Sequence, residues 1–125
     1  METPKIRVMV VEDDEAASTF IAEVLKMEGY EPIVVNDSSK AMEIAHSTLP
    51  RCILLDLMMP PPDGFKLCKM LRADATFRET PILIVTALDN TDSKIVAIGA
   101  GANDYLVKPF SIDDLTLRIK HLLGE

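Results

Sequence analysis

The 125-residue chain has no apolar stretch approaching the roughly 18–20 residues that a membrane-spanning helix needs. Its opening, Met1-Glu-Thr-Pro-Lys5, is charged but has no apolar core behind it, so no signal peptide is visible. Both absences point to a cytoplasmic protein with no membrane partner. Cysteine is scarce: Cys52 and Cys68 lie far apart and in no Cys-x-x-Cys spacing. That gives no basis for a disulfide framework or a thiolate metal site, and both read as buried free thiols. His46 and His121 stand alone, which predicts surface residues, not ligands. Basic charge is short as well, since 13 Lys and Arg face 20 Asp and Glu, a net charge of −7. Such a surface does not bind nucleic acid by itself, because phosphate backbones require basic patches. Repeats, linkers and low-complexity tracts are missing, so 1–125 reads as one domain, long enough to bury a single core.

What is present is an ordinary globular composition, 48% hydrophobic and 26% charged, arranged in a regular alternation. Short runs rich in Val, Ile and Leu fall at 6–11, 30–35, 52–55, 81–85 and 105–107, which suits strands buried on both faces. Helical spacing fills the gaps. Phe20, Ile21, Val24 and Leu25 form a first stripe, stopped by Gly29. Ala41, Met42, Ala45 and Leu49 form a second, opened by an Asp37 or Ser38 cap and stopped before Pro50. Leu67, Cys68 and Leu71 form a third, begun near Asp63. Ile95, Ile98 and Ala102 form a fourth, with Gly99 and Gly101 near its end, and Ile112, Leu115, Ile119 and Leu122 a fifth, capped by Ser111. Strand and helix alternate five times, which implies an α/β fold: a parallel sheet, doubly wound, with right-handed crossovers. Ligands on such open sheets bind outside the carboxyl ends of the strands.

Those ends are where the reactive side chains fall. The first apolar run closes in Glu12-Asp13-Asp14, the third in Asp56, the fourth in Thr86 and the last in Lys108. Alone, Asp56 reads equally as a turn residue or as a nucleophile able to accept a phosphoryl group. Three carboxylates converging without a cation would repel, so Glu12, Asp13 and Asp56 together suggest a metal, and hard oxygen donors suit magnesium. Asp14 is one residue too far along and reads as the cap of the first helix. Lys108 can place an ammonium on a phosphoryl oxygen, and Thr86 can donate its hydroxyl to another. The bland alternatives, a solvated Lys and a β-forming Thr, account for each residue singly but not for all of them at one edge.

The segments Val10-Val-Glu-Asp13, Asp56-Leu-Met-Met-Pro-Pro-Pro-Asp-Gly64, Thr86-Ala87 and Gly101-Ala-Asn-Asp-Tyr-Leu-Val-Lys-Pro-Phe110 resemble the receiver domain of two-component response regulators, the CheY-like family. The likeness runs from about Ile6 to Leu123. It implies a flavodoxin-like sheet of five strands in the order 2-1-3-4-5, with five helices. It implies that Asp56 is the phosphoacceptor and that the magnesium set is Asp13, a direct ligand, Glu12, acting through water, Asp56, and the Met58 backbone carbonyl. Thr86 and Lys108 would be phosphoryl ligands, Tyr105 the aromatic that rotates with Thr86, and Lys108–Pro109 a cis peptide bond. The partners implied are a histidine kinase or histidine phosphotransfer protein and a downstream effector protein or domain. A phosphorylation-dependent homodimer is compatible with the likeness. The protein would not be an enzyme in the ordinary sense, but a phosphoacceptor that assists its own phosphotransfer and autodephosphorylation.

The chain departs from the commonest family pattern in having Glu12 for an Asp and a triple proline at 60–62, which stiffens the loop after Asp56. The likeness also puts phosphodonor docking on the first helix, at Ala16, Ala17 and Phe20, and on the loop after Lys108, although Phe20 reads equally as core. It makes Met58 and Leu88 the side chains beside the hydrolytic water, and both are apolar. Three rivals fare worse. A haloacid-dehalogenase-type phosphatase needs an Asp two residues after its nucleophile, where Met58 stands. A flavodoxin-like electron carrier needs a phosphate-cradling first loop, which the acidic run 12–15 would repel. A receiver-like binding module without phosphorylation has no reason to keep Glu12, Asp13, Asp56, Thr86 and Lys108 together.

Overall fold

The computed structural model describes residues 4–125. Five parallel strands, β1 (Arg7–Val11), β2 (Glu31–Val35), β3 (Cys52–Leu55), β4 (Ile82–Thr86) and β5 (Asp104–Val107), form one sheet in the order β2-β1-β3-β4-β5. Between and after them lie α1 (Glu15–Met27), α2 (Ala41–Thr48), α3 (Gly64–Ala73), α4 (Thr91–Gly99) and α5 (Ile112–Leu122). Single 3-10 turns at Ser38–Lys40 and Ala75–Phe77 lead into α2 and follow α3. The strand order and helix count are those the sequence resemblance implies, and strand ends move by a residue at most.

Alternation along each strand divides the core in two. Met9, Val11, Ile53, Leu55, Ile82 and Ile84 face one side and pack with Ala41, Ala45, Leu67, Leu71, Phe77 and Ala97. Val8, Val10, Leu54, Leu83 and Val85 face the other, against Ile21, Val24, Leu25, Leu115 and Ile119. Thus α1 and α5 cover one face, while α2, α3 and α4 cover the other. Cys52 and Cys68 are buried free thiols. No described helix is long and apolar enough to cross a membrane.

Helix starts are set by side chains that accept orphan amides. Asp63 takes the Lys66 N–H, Asn90 the Ser93 N–H and Ser111 the Asp114 N–H. Asp37 accepts from Ser39, so it opens the 3-10 turn, and α2 proper begins at Ala41. Gly29 ends α1 with φ of 87°, a left-handed conformation open to glycine at little cost.

The fourth stripe is corrected. Ile95 and Ile98 are 63% and 49% exposed, and Ala102 lies beyond the end of α4. The helix rests on the sheet through Ala97 and its following Ala100, small residues that hold the backbone close and turn the larger apolar side chains outward. Phe20 is 47% exposed, so it is not core, and Leu49 and Ile112 are exposed as well. His46 is exposed as expected but not isolated: its Nε2 lies 2.6 Å from Asp74 Oδ2, and its ring meets Phe77 edge-on.

Candidate functional site

The ladders run one residue past the strands. The Asp56 N–H donates to the Val11 carbonyl (3.1 Å), the Lys108 N–H to the Thr86 carbonyl (2.8 Å) and the Glu12 N–H to the Val35 carbonyl (3.0 Å). Glu12, Asp56 and Lys108 are therefore fixed at strand-like positions along one edge. Lys108 Nζ donates to Asp56 Oδ2 at 3.0 Å and also to Glu12 Oε1. The second oxygen of each acid is taken by main chain: Asp56 Oδ1 accepts the Met58 N–H (3.0 Å), and Glu12 Oε2 accepts the Asp14 N–H (3.1 Å). Glu12, Asp56 and Thr86 are all buried.

The electrostatics separate the two acids. Burial pushes the Glu12 carboxyl up to about 7, against the pull of Lys108 and with the help of Asp56. Burial also works to raise Asp56, but the Met58 N–H, Glu12, Lys108 and Thr86 outweigh it and hold its carboxyl below the ordinary range. For Lys108 burial is again the opposing effect, and its bonds to Glu12 and Asp56 more than reverse it. Asp56 is thus kept as an ionised carboxylate beside a charged ammonium.

Glu12, Asp56, Thr86 and Lys108 gather as the sequence predicts, but Asp13 does not join them in a compact cluster. Its side chain is exposed, and no group of three or more His, Cys, Asp or Glu forms a metal cage among the described residues. The donor chemistry still fits magnesium: Glu12 and Asp56 offer hard carboxylate oxygens, and one ammonium serves both of these buried acids. The set that would hold the ion is Asp13, Asp56, Glu12 and the Met58 carbonyl. Asp14 caps α1 as read, its Oδ1 accepting the Ala17 N–H at 3.1 Å.

Thr86 and Tyr105 are linked through Leu88. The Leu88 N–H donates to Thr86 Oγ1 at 3.4 Å, and the Tyr105 hydroxyl donates to the Leu88 carbonyl at 2.8 Å. The Lys108–Pro109 peptide bond is cis, and so is Pro61–Pro62. Met58 presents its side chain to solvent and its N–H to Asp56.

Sequence reasoning missed two contributors, Gly64 and Asn36. Gly64 opens α3 so close to β3 that a Cβ there would lie 2.2 Å from the Asp56 carbonyl oxygen; the Asp-Gly pair reads only as a helix start. Phe110 pairs with Phe20 at 6.2 Å between ring centroids, and with Ala17, Ile21, Lys108 and Pro109 they line a cavity of about 210 Å³. Asn36 reaches from the end of β2 to the Glu12 carbonyl and the Ser18 hydroxyl. A polar residue after a strand gives no sign of such reach.

Comparison with known proteins agrees with the geometry. The family model described as the response regulator receiver domain matches residues 8–120. The DNA-binding dual master transcriptional regulator RpaA of Synechocystis sp. is 38% identical over 117 residues, which are 94% of this chain and 48% of that protein. The chain spans about half the length of the curated relatives it matches. Among solved structures, the BeF3-activated N-terminal receiver domain of Klebsiella pneumoniae RstA superposes with a TM-score of 0.89 at 31% identity, covering 95% of this chain and 99% of that one. The chemotaxis protein CheY4 of Vibrio cholerae gives 0.90 at 27% identity, with 95% and 99% covered.

Proposed function

The chain belongs to the response regulator receiver domain family, and on that premise we propose that it is a switch set by phosphorylation of Asp56 in a magnesium-dependent reaction. The observation that carries this reading is the setting of Asp56: a buried carboxylate held ionised at the end of β3, with Lys108 on one oxygen and the Met58 N–H on the other. The donor is the phosphohistidine of a histidine kinase or a histidine phosphotransfer protein. A lone pair of the Asp56 carboxylate forms the O–P bond as the P–N bond breaks, and the departing imidazole nitrogen keeps that electron pair. Magnesium supplies neutralising charge for the phosphoryl oxygens. Lys108 exchanges a carboxylate oxygen for a phosphoryl oxygen, and the buried Thr86 hydroxyl donates to another.

That last move propagates. Thr86 Oγ1 now accepts from Leu88, whose carbonyl holds Tyr105. Drawing Thr86 toward the phosphoryl group releases the Leu88 N–H and shifts the Tyr105 anchor, so the surface of α4, β5 and α5 takes a second arrangement. The exposed Ile95, Val96 and Ile98 on α4 are apolar contact surface for a downstream effector or for a second copy in the phosphorylated state. The phosphodonor docks at Ala17, Phe20 and Phe110, beside Lys108. The protein is a cytoplasmic phosphoacceptor that assists its own transfer and hydrolysis, not an enzyme with a separate substrate. With a net charge of −7, this domain does not itself contact nucleic acid.

Labelling with acetyl phosphate tests the reading. The parent should gain one phosphoryl group only when magnesium is present, and Asp56→Asn should gain none. Equal labelling of Asp56→Asn refutes the assignment.

A further inference from the structure

Asn36, the residue after β2, has no part in the reading above. Its Nδ2 donates 2.7 Å to the Glu12 carbonyl and 2.9 Å to Ser18 Oγ. Ser18 is buried and passes the bond on, its hydroxyl donating to the Glu15 carbonyl at 3.1 Å. The ladder between β1 and β2 explains why an amide is needed there. Its last bond runs from the Glu12 N–H to the Val35 carbonyl, and parallel pairing would next send the Asp37 N–H to the Glu12 carbonyl. Asp37 instead opens the turn Ser38–Lys40, so the chain leaves the sheet. The Asn36 side chain supplies the donor that the departing backbone withdraws.

One amide therefore grips both ends of the acid run 12–15, directly at Glu12 and through Ser18 at Glu15. Within the run, the Asp14 N–H is held by Glu12 Oε2. The main chain on either side of Asp13 is fixed while the Asp13 side chain stays exposed.

We infer that Asn36 is a positioning residue for the acids that hold magnesium: it fixes the main chain of Glu12 and Asp13 relative to Asp56 without touching the ion or the phosphoryl group. The inference rests on the magnesium-dependent reading of the site. Without the amide, the Glu12 carbonyl and the Ser18 hydroxyl lose a partner, and the acid run samples arrangements that hold a cation less well. Asp56, Thr86 and Lys108 keep their own contacts, so the defect lies in magnesium affinity and disappears at saturating metal.

The test compares the parent with Asn36→Ala in two measurements. One is the initial rate of Asp56 labelling by acetyl phosphate against magnesium concentration. The other is magnesium titration without a phosphodonor, followed by main-chain amide shifts. Outer partners of metal ligands typically contribute 10–100-fold to affinity, and we expect both midpoints to rise about tenfold while the rate at saturating magnesium stays within about twofold. Asn36→Asp, which places a carboxylate against the Glu12 carbonyl, should be worse. Ser18→Ala should shift the midpoint in the same direction by less, and it carries the test if Asn36→Ala does not fold. An unmoved midpoint overturns the inference, as does a lower saturating rate with the midpoint unmoved. Asp13→Ala separates the two possible failures. If the parent titrates and Asp13→Ala does not, the metal reading stands and only the role of Asn36 is in question. If the parent does not titrate at all, the metal reading falls and this inference with it.

Discussion

Gly64→Ala should damage both the fold and the site, by an amount that can be worked from three contacts. A Cβ at Gly64 would lie 2.2 Å from the Asp56 carbonyl oxygen, 2.6 Å from Leu57 Cα and 2.9 Å from the Asp56 carbonyl carbon. Unstrained carbon contacts need about 3.5 Å, so the start of α3 must retreat from β3 by about 1 Å or more. All three obstacles are main chain of the strand end that carries Asp56, so no side chain can turn away to relieve them. Overpacking of this kind costs about 1–3 kcal/mol, and rigid backbone puts Gly64→Ala near the upper end. Unfolding entropy of about 2.1 cal/mol/K per residue gives about 0.26 kcal/mol/K for 125 residues, so about 3 kcal/mol lowers Tm by about 11 °C. Gly99 is the control, because a Cβ there meets nothing within 4 Å. Gly99→Ala should be neutral or raise Tm slightly, since it removes only unfolded-state freedom. Thermal unfolding by circular dichroism compares the two, and the labelling rate of Asp56 reports the site. If Gly64→Ala melts within about 2 °C of the parent, the close approach of α3 to β3 is not what the geometry says.

Ala17→Glu should slow transfer from a protein phosphodonor by about tenfold or more while leaving acetyl phosphate labelling unchanged, because it puts charge into the cavity beside Phe20 and Phe110 without reaching Asp56; equal loss of both activities would place the damage in the fold. Replacing the apolar side chains after Asp56 and Thr86 by polar ones, Met58→Asn with Leu88→Glu, should speed aspartyl-phosphate decay by about tenfold or more, since positioning a water contributes about 10²–10⁴-fold; an unchanged decay rate refutes the reasoning. The Thr76 N–H and the His46 ring hold the Asp74 carboxyl below its ordinary value near 3.8. A depressed carboxylate contributes stability above its unfolded value and loses it as pH falls through the folded one. Asp74→Asn should therefore melt below the parent at pH 6, with the gap closing below about pH 3.8. A gap constant with pH would contradict the ionic origin.

Much of this was legible in the sequence because buried parallel strands advertise themselves. Cys52 to Leu55 and Ile82 to Val85 are continuous apolar runs, and the ladder fixes the polar residue that ends each, Asp56 one step beyond β3 and Thr86 as the last residue of β4. The position of Asp56, Thr86 and Lys108 at one edge follows from that alone. Periodicity failed at α4, where it counted Ile95 and Ile98 as core by size. The close seat on the sheet belongs to Ala97, and a small residue carries little weight in an apolar pattern. Phe20 misled for the opposite reason: it continues the α1 stripe by spacing but sits at its margin, against Phe110. Asn36 and Gly64 were illegible because their roles depend on where the chain turns in three dimensions. The first acts across a sheet edge to Glu12, and the second is defined by how near α3 comes to Asp56.

The most direct test of the account asks which atom takes the phosphoryl group. A phosphohistidine-bearing donor should phosphorylate the parent in magnesium buffer, and borohydride reduction should then convert the acyl phosphate to the side-chain alcohol, with loss of phosphate, for peptide mapping by mass spectrometry. The account predicts a single reduced position, Asp56, and none in a sample where magnesium has been chelated. A reduced residue at Glu12, Asp13 or any other position, or no modification of Asp56 when the donor has lost its phosphate to this protein, would contradict it.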